Sequence, residues 1–422
     1  MIIPSIDLMN GNAVQLVGGK EMALDAGDPR PIAEKFGRVG EIAVIDLDAA
    51  LSQGSNREVI EDLLKIAPCR VGGGIRDVET ALEWLDKGAC KVILGTAARP
   101  EILKQLPKER VIAALDAVND EVVVEGWTTK TGQNVTDMMR ELRPYVGGFL
   151  VTFVEREGRL EGMQEERVRA LVEAADGAEL TVAGGVATPE DVGLVDRLGA
   201  DAQVGMALYT GRFDLADSLG ACIKTDRDDG LWTTVVSDTS GRALGLVYSN
   251  LDSLRDAIVE GRGTYWSRSR NELWVKGLTS GATQKLVGVS LDCDRDALRF
   301  VVEQANPGFC HEETWTCWGP SKGLHALEQT TWSRKEEAPE GSYTRRLFEE
   351  SGLLGAKLVE EAGELSEAVT KEDVAHEAAD VMYFALVAMA KAGVTLADVE
   401  AVLDERALKV KRRKGDAKVA LA

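Results

Sequence analysis

The sequence predicts a multidomain chain: a (β/α)8 barrel over residues 1–222, a metal-ligating segment over 228–330 and an all-helical segment over 342–415. Three observations predict it. Eight short apolar runs alternate with amphipathic stretches in the first half. Residues 291–318 concentrate half of the six cysteines among alternating aspartates. The last stretch carries the apolar spacing of helices. A length of 422 residues fits about three domains with cores of their own.

The eight runs are 2–7, 42–48, 69–74, 91–95, 110–116, 147–152, 180–185 and 201–205. Amphipathic segments such as VETALEWLDKG (78–88) lie between them, the pattern of parallel βα units. Eight units in about 220 residues suggest a closed barrel, with a doubly wound open sheet as the alternative. The half repeats itself. Asp7 and Asp116 each end a strand-like run and lie 109 residues apart. GGGI (72–75) resembles AGGV (183–186), and GTAARPE (95–101) echoes GMALYTG (205–211). Such a period makes the barrel two copies of a four-unit half. Chemistry in a barrel sits at the C-terminal ends of its strands, so Asp7 and Asp116 are expected to face each other across that mouth. Turns at Gly73–Gly74, Gly95–Thr96, Gly184–Gly185 and Gly205 bring backbone N–H groups and helix starts to where a phosphate would sit. A pair of such sites implies a substrate with a phosphate at each end. A single Gly-Gly turn would mean less, because βα turns use Gly for geometry.

IPSIDLMNG, VGGGIRD, LDAVNDEVVVEGW and MALYTGRFDL resemble the ProFAR isomerase family, and more loosely its sister cyclase. The resemblance implies an Amadori rearrangement of an aminoaldose to an aminoketose, with the family's two catalytic aspartates at Asp7 and Asp116. It also places Thr152 and Arg156 in a substrate-holding loop. The chain departs from the family pattern at Gln15, usually Arg, and in TFVEREGR (152–159), where Phe153 and Glu157 replace aspartates. The barrel is therefore expected either to isomerise or to serve as a non-catalytic scaffold.

In the middle segment, Cys293, Cys310 and Cys317 lie with Asp292, Asp294 and Asp296, and His311 follows the second cysteine. Thiolates are soft ligands that suit zinc, and carboxylates are hard ligands that suit magnesium. Three protein ligands would leave zinc one open position for water. The alternative is a few buried reduced cysteines beside a solvated acidic turn. DGLWTTVVSD (229–238), LGLVYSN (244–250), GTYWSRSRNELWVKG (263–277) and TSGATQK (279–285) resemble phosphoribosyl-AMP cyclohydrolase. That resemblance implies a mainly-β α+β domain that opens the adenine ring of phosphoribosyl-AMP with water. It implies zinc on the three cysteines and magnesium on the three aspartates, and brings Arg268 and Arg270 forward as phosphate contacts. His311 is expected either as a general base or water-orienting group, or as a structural histidine.

In the last segment, GLLGAKLVEEAGELSEAVTK (352–371) sets Leu354, Leu358, Ala362, Leu365 and Val369 on one helical stripe. A second helix, 371–393, is apolar over a broad face and is expected to pack deeply. Glu361 with Glu364, and Glu377 with Asp380, are spaced at i, i+3, and Glu360 reaches Glu364 at i, i+4. Two facing helices would converge these carboxylates on magnesium and a polyphosphate; the alternative is a solvated acidic face. EEAGE followed by EAAD resembles the MazG-like pyrophosphohydrolases, and SYTRRLF (342–348) narrows this to phosphoribosyl-ATP pyrophosphohydrolase. The tail LKVKRRKGDAK (408–418) resembles multifunctional histidine-biosynthesis proteins of fungi, and reads as a solvated end or a phosphate contact.

The net charge of −21 disfavours a nucleic-acid or anionic-membrane surface, while leaving small phosphoribosyl nucleotides as partners. No apolar run approaches the ~18 residues of a membrane span, and MIIPSIDL lacks the basic start of a signal peptide. Reduced thiols fit a cytoplasmic location better than a disulfide framework does. Residues 219–230 and 331–342 read as polar linkers. The family likenesses imply a homodimer with sites built across chains.

Overall fold

The structure, a computed structural model, describes residues 1–410 apart from Lys20, Glu125, Gly126 and Thr128. The basic tail beyond residue 410 lies outside the described residues. By contacts the chain divides into two compact units. Among the described residues, one holds 1–236, 246–304 and 408–410; the other holds 237–245 and 305–407.

All eight runs read from the sequence become barrel strands: Ile2–Met9, Ile42–Asp46, Cys69–Gly72, Lys91–Leu94, Val111–Val118, Gly148–Phe153, Glu179–Ala183 and Asp201–Val204. They pair in parallel, and the pairing of the fifth strand with the sixth closes the ring, aligning Asp116 with Thr152. Closure excludes the open doubly wound sheet. Strands buried on both faces explain the continuous apolar runs. Ile93, Ile112, Leu150 and Ala183, from four consecutive strands, pack together as one interior cluster. At the opposite end from the mouth, buried Arg70 pairs with Glu41 and donates to Thr181 at 2.9 Å, filling the ring with a satisfied polar cluster.

Amphipathic helices follow the strands, several of them started by a side chain that accepts an otherwise orphaned N–H. Asp77 caps Val78–Asp86, and Thr188 with Asp191 forms a capping box on Pro189–Arg197. Two hairpins not expected from the sequence follow the first and fifth strands: Asn12–Val17 with Glu21–Gly27, and Glu121–Val124 with Thr129–Asn134. They occupy matched places in the two halves, so the internal repeat extends to the loops over the mouth.

The remainder of the first unit is mainly β with one helix, as the sequence likeness implied. A four-stranded sheet runs in the order Ala243–Ser249, Trp232–Asp238, Ala297–Gln304, Gln284–Leu291. Helix Leu251–Glu260 ends at Gly261, whose left-handed φ of 65° stops it. Thr264–Ser267 and Glu272–Val275 form a separate hairpin. Polar bonds join this part to the barrel: Arg255 pairs with Asp214 and Asp217, and Arg38 Nη1 donates to Ile258 O at 2.6 Å.

The second unit is largely helical: Gly323–Glu336, Tyr343–Glu349, Leu353–Glu367, Lys371–Ala392 and Leu396–Leu408. Leu347, Leu354, Phe384 and Val387 form its core, with Leu358 and Tyr383 packed against it. The expected stripe holds only in part. Leu354 is buried, but Ala362 and Val369 are exposed, because the helix ends at Glu367 and its second half has no apolar layer over it in this unit. The second helix likewise packs through Phe384, Leu386, Val387 and Ala390 at its C-terminal half only, leaving Ala379 and Met382 exposed. The polar stretch 331–342 is half helix, because Gly323–Glu336 continues through it with Thr331 buried; Pro339 and Gly341 come only after.

The matched Gly turns carry a stability prediction. Gly73 and Gly184 have φ of 90° and 83°, and a Cβ there would run into the backbone of Asp46 and Phe153 respectively. Left-handed strain and a backbone clash add, so Gly73→Ala and Gly184→Ala should each lower stability by about 2–4 kcal/mol. Urea unfolding of the full chain checks this; a loss below half a kcal/mol would mean the turns relax freely.

Candidate functional site

Barrel closure assembles a carboxylate-lined mouth. Asp7 lies near the end of the first strand, beside Ile45 of the second, and Ser5 Oγ donates to its Oδ1 at 2.9 Å. Asp116 ends the inward run of the fifth strand, and the side chains of Trp127 and Thr152 hydrogen-bond it. A third acid, Glu157, joins them from the loop after the sixth strand, whose turn packs on the first hairpin at Leu16 and Val17. Burial pushes Asp7 up to about 6, and burial also raises Asp116 against the pull of its two hydrogen bonds. Glu157 is pushed up to about 7, by burial first and then by the charges of Asp7 and Asp116. These are groups poised to exchange protons near neutral pH. Sequence reasoning named the two aspartates and treated Glu157 as a mere departure; only the fold shows that it faces them. The sequence also gave no sign of Tyr209, whose buried hydroxyl has no hydrogen-bond partner among the described residues and feels the charge of Asp7.

The neighbouring turns differ. Arg156 packs against Gly185 and donates from Nη1 to Gly162 O at 2.7 Å, so it sits beside the Gly184–Gly185 turn. Gly205 faces the carboxamide of buried Gln15, which donates to Val14 O at 2.8 Å. Gly95 and Thr96 are exposed, and space around Gly95 is open. A polar network absent from the sequence reading holds the second strand's end: Asn56 Nδ2 donates to Asp46 and Asp48, and Asp48 accepts from Asn10 N at 2.6 Å.

In the rest of the first unit, Arg268 stacks over Tyr248 at 4.0 Å. With Trp266 and Trp274 it lines an open hollow of about 510 Å³. Arg270 instead pairs with Glu272 at 3.1 Å on the surface. The loop between Gln284–Leu291 and Ala297–Gln304 brings carboxylate oxygens of Asp292, Asp294 and Asp296 within 4.8 Å of one another. Contact with Asp292, then the charges of Asp294 and Asp292, raise Asp296 above the usual carboxylate range. Cys293 lies exposed in the same loop. In the second unit, the N–H of Glu312 first, then Thr314 and the Cys317 thiol, hold Cys310 below an ordinary thiol, with His311 Nδ1 3.9 Å from its sulfur. A thiol biased toward thiolate, as Cys310 is, fits a soft cation.

The two long helices of the second unit bring Glu361, Glu377 and Asp380 within the same 4.8 Å limit, an oxygen set that fits a hard divalent cation. Glu364 is raised, chiefly by the charge of Glu361 and further by Glu377. Glu360 is turned to Lys357 at 2.9 Å, and Lys357 also holds Glu361 at 2.6 Å. That lysine was legible at i, i+4 from Glu361 and was missed. Ala379 and Met382, beside Glu377 and Asp380 on the helix expected to pack deeply, are exposed.

A sequence model described as "Histidine biosynthesis protein" matches residues 1–214, half of the chain. The chain belongs to this family. A phosphoribosyl-AMP cyclohydrolase model matches residues 245–319, and a phosphoribosyl-ATP pyrophosphohydrolase model residues 324–407. The order is the one read from the motifs. The histidine biosynthesis trifunctional protein of Komagataella pastoris is 39% identical over 413 residues, covering 96% of this chain and 44% of that protein. The 1-(5-phosphoribosyl)-5-((5-phosphoribosylamino)methylideneamino)imidazole-4-carboxamide isomerase of Methanocaldococcus jannaschii is 34% identical over 232 residues, 52% of this chain and 98% of that enzyme. The histidine biosynthesis bifunctional protein of Schizosaccharomyces pombe is 51% identical over 209 residues, half of each chain. The chain thus spans less than half the length of the trifunctional protein. No described helix is long and apolar enough to cross a membrane.

The half-buried acids of the mouth set a pH dependence. A carboxyl whose folded affinity for protons exceeds its unfolded one contributes stability that is full below about pH 4 and is lost as pH rises through the folded value. For Asp7 and Glu157 that window is pH 4 to about 7. Asp7→Asn should therefore raise barrel stability at pH 8 by roughly 3 kcal/mol while changing it little at pH 4. Thermal melts at the two pH values measure it, and an unchanged melt at pH 8 would mean the mouth is hydrated.

Proposed function

We propose that the chain carries out three reactions of histidine biosynthesis: pyrophosphate release from phosphoribosyl-ATP, opening of the adenine ring of phosphoribosyl-AMP by water, and isomerisation of the resulting ProFAR. The observation that carries the reading is the linkage of the matched regions. The compound that a phosphoribosyl-ATP pyrophosphohydrolase releases is the one that a phosphoribosyl-AMP cyclohydrolase consumes, and both regions lie on one chain behind an isomerase-like barrel.

In the barrel, Asp7 and Asp116 act as the general acid and base. The Amadori step loses and gains no atoms: one group protonates the opening aminoaldose while the other takes the proton from the neighbouring carbon. Burial raises the proton affinity of both carboxyls, Asp7 to about 6, and Thr152 fixes the orientation of Asp116. Gly73–Gly74 and Gly184–Gly185 take the two terminal phosphates, and Arg156 adds charge at the second. One feature favours the scaffold reading instead: Gln15 fills the space beside Gly205 with a neutral amide already bonded to its own backbone.

In the middle region, the family likeness would put zinc on Cys293, Cys310 and Cys317 and magnesium on Asp292, Asp294 and Asp296. Zinc bound there would supply a water that ionises near neutral pH, with a pKa of about 7. His311, beside Cys310, would orient a water, and Arg268 with its aromatic neighbours receives the nucleotide. In the helical region, Glu361, Glu364, Glu377 and Asp380 would hold magnesium, which would offset the charge of the polyphosphate. The protein works in the cytoplasm as a homodimer, a state supported by the exposed Val359, Val369 and Met382 around the acidic helices.

Supplying phosphoribosyl-ATP to the full chain should yield pyrophosphate and the ring-opened, isomerised product. Cys310→Ser should abolish ring opening, remove about one zinc and leave pyrophosphate release unchanged. Glu361→Gln should do the reverse, stopping pyrophosphate release while supplied phosphoribosyl-AMP is still opened. Retained zinc and ring opening in the first variant would overturn the zinc assignment. For the barrel, wild-type conversion of supplied ProFAR, with a drop of at least ~100-fold in Asp7→Asn and Asp116→Asn, is expected. No conversion by the wild type would leave it a scaffold.

A further inference from the structure

The loop Asp292–Asp296 contains its own obstacle. Its sequence is Asp-Cys-Asp-Arg-Asp, and an arginine among three carboxylates would ordinarily pair with them and cancel their charge. Arg295 does not. It adopts a left-handed φ of 68°, unusual for a branched-headed side chain, and points to the barrel. Its Nη2 donates to Asp196 Oδ1 at 2.9 Å and its Nε to Asp196 Oδ2 at 3.1 Å, a two-pronged pairing. Asp196 lies on the barrel helix Pro189–Arg197 with its side chain almost fully buried. Arg295 Nη1 donates back to Asp292 O at 2.7 Å, and Arg295 O accepts Lys224 N at 2.6 Å. The strand that feeds the loop is tied as well, Val289 N donating to Arg38 O at 2.6 Å. Among the described residues, Asp292, Asp294 and Asp296 form no ion pair. Asp292 Oδ1 instead accepts Asp296 N and Ala297 N, at 3.0 and 3.2 Å.

We propose that Asp196 and Arg295 are positioning residues of the middle region: the barrel carboxylate draws the guanidinium out of the acidic loop and holds the loop in its bent form, leaving three carboxylates clustered and unpaired for a divalent cation. The barrel thereby supports ring opening whether or not it isomerises anything. The cation in this statement rests on the reading of the loop given above; the tether itself rests on the geometry alone.

The test uses the full chain. Arg295→Gln is the primary variant, because Asp196 also accepts the amino group of Met1 at 2.8 Å. Arg295→Lys keeps the charge but not the fork, and Asp196→Asn with the double variant completes a cycle. Hydrogen exchange at the amides of Asp292, Asp296 and Ala297 should speed up in Arg295→Gln. Mn2+ binding, measured by titration in a Glu361→Gln background to silence the helical site, should weaken by about 10–100-fold, the usual effect of losing an outer-shell partner. The fall in ring opening should be restored in part by excess Mn2+, Arg295→Lys should lie between, and the double variant should be no worse than the poorer single. Wild-type exchange rates in Arg295→Gln would overturn the tether. If exchange speeds up while Asp294→Asn binds Mn2+ as well as its parent, the tether stands and the cation reading of the loop falls.

Discussion

Closure of the barrel between Val111–Val118 and Gly148–Phe153 is the constraint from which the first unit's chemistry follows. A ring of eight strands has one C-terminal end, so residues far apart in the chain must meet there. Asp7, Asp116 and Glu157 arrive from the first strand, the fifth strand and the sixth loop, and the two hairpins lie over them. The three acids are thereby left only partly exposed to water. Their raised affinity for protons is the energetic trace of that closure, and it costs the fold stability at neutral pH. A site that holds protons near pH 7 and a fold that is strained by holding charge are one fact.

The barrel was legible because its signals are local and periodic. Both-sides-buried strands read as continuous apolar runs, and the two Gly-Gly turns announce the left-handed backbone that Gly73 and Gly184 adopt. The structure gives those glycines a packing reason, the approach of Asp46 and Phe153, alongside any phosphate. The hairpins were not legible, since Asn12–Val17 and Thr129–Asn134 carry the mixed polarity of exposed ribbon. Glu157 was visible as a residue but not as a neighbour, because its partners Asp116 and Asp7 lie 41 and 150 residues earlier in the sequence.

The helical region shows the opposite limit. Spacing at i, i+3 put Glu361, Glu377 and Asp380 on the right faces, and the two helices do bring them together. The same spacing rule applied to Leu354, Leu358, Ala362 and Val369 failed halfway, since a stripe says which side of a helix is apolar and not what covers it. Ala362, Val369, Ala379 and Met382 stay exposed within one chain, so the acidic cluster is open on that side. Lys357 answers part of the charge of Glu360 and Glu361 and shows that a carboxylate group need not wait for a metal to be offset.

Carboxylates thus do different work in this chain, and surroundings rather than residue type decide which. In the barrel mouth they are half-buried, so desolvation favours the protonated form. In the loop 292–296 they are solvated and close together, so repulsion is relieved best by a divalent ion. A neighbouring arginine would relieve it too, and would then end the loop's use as a cation site. The fold prevents this by giving Arg295 a better partner: Asp196 is buried, meets both prongs of the guanidinium and lies on a rigid helix. The acidic loop keeps its charge because the barrel takes up the one cation within it. Fusion of the barrel to the segment that follows therefore has a physical consequence that does not depend on what the barrel itself catalyses.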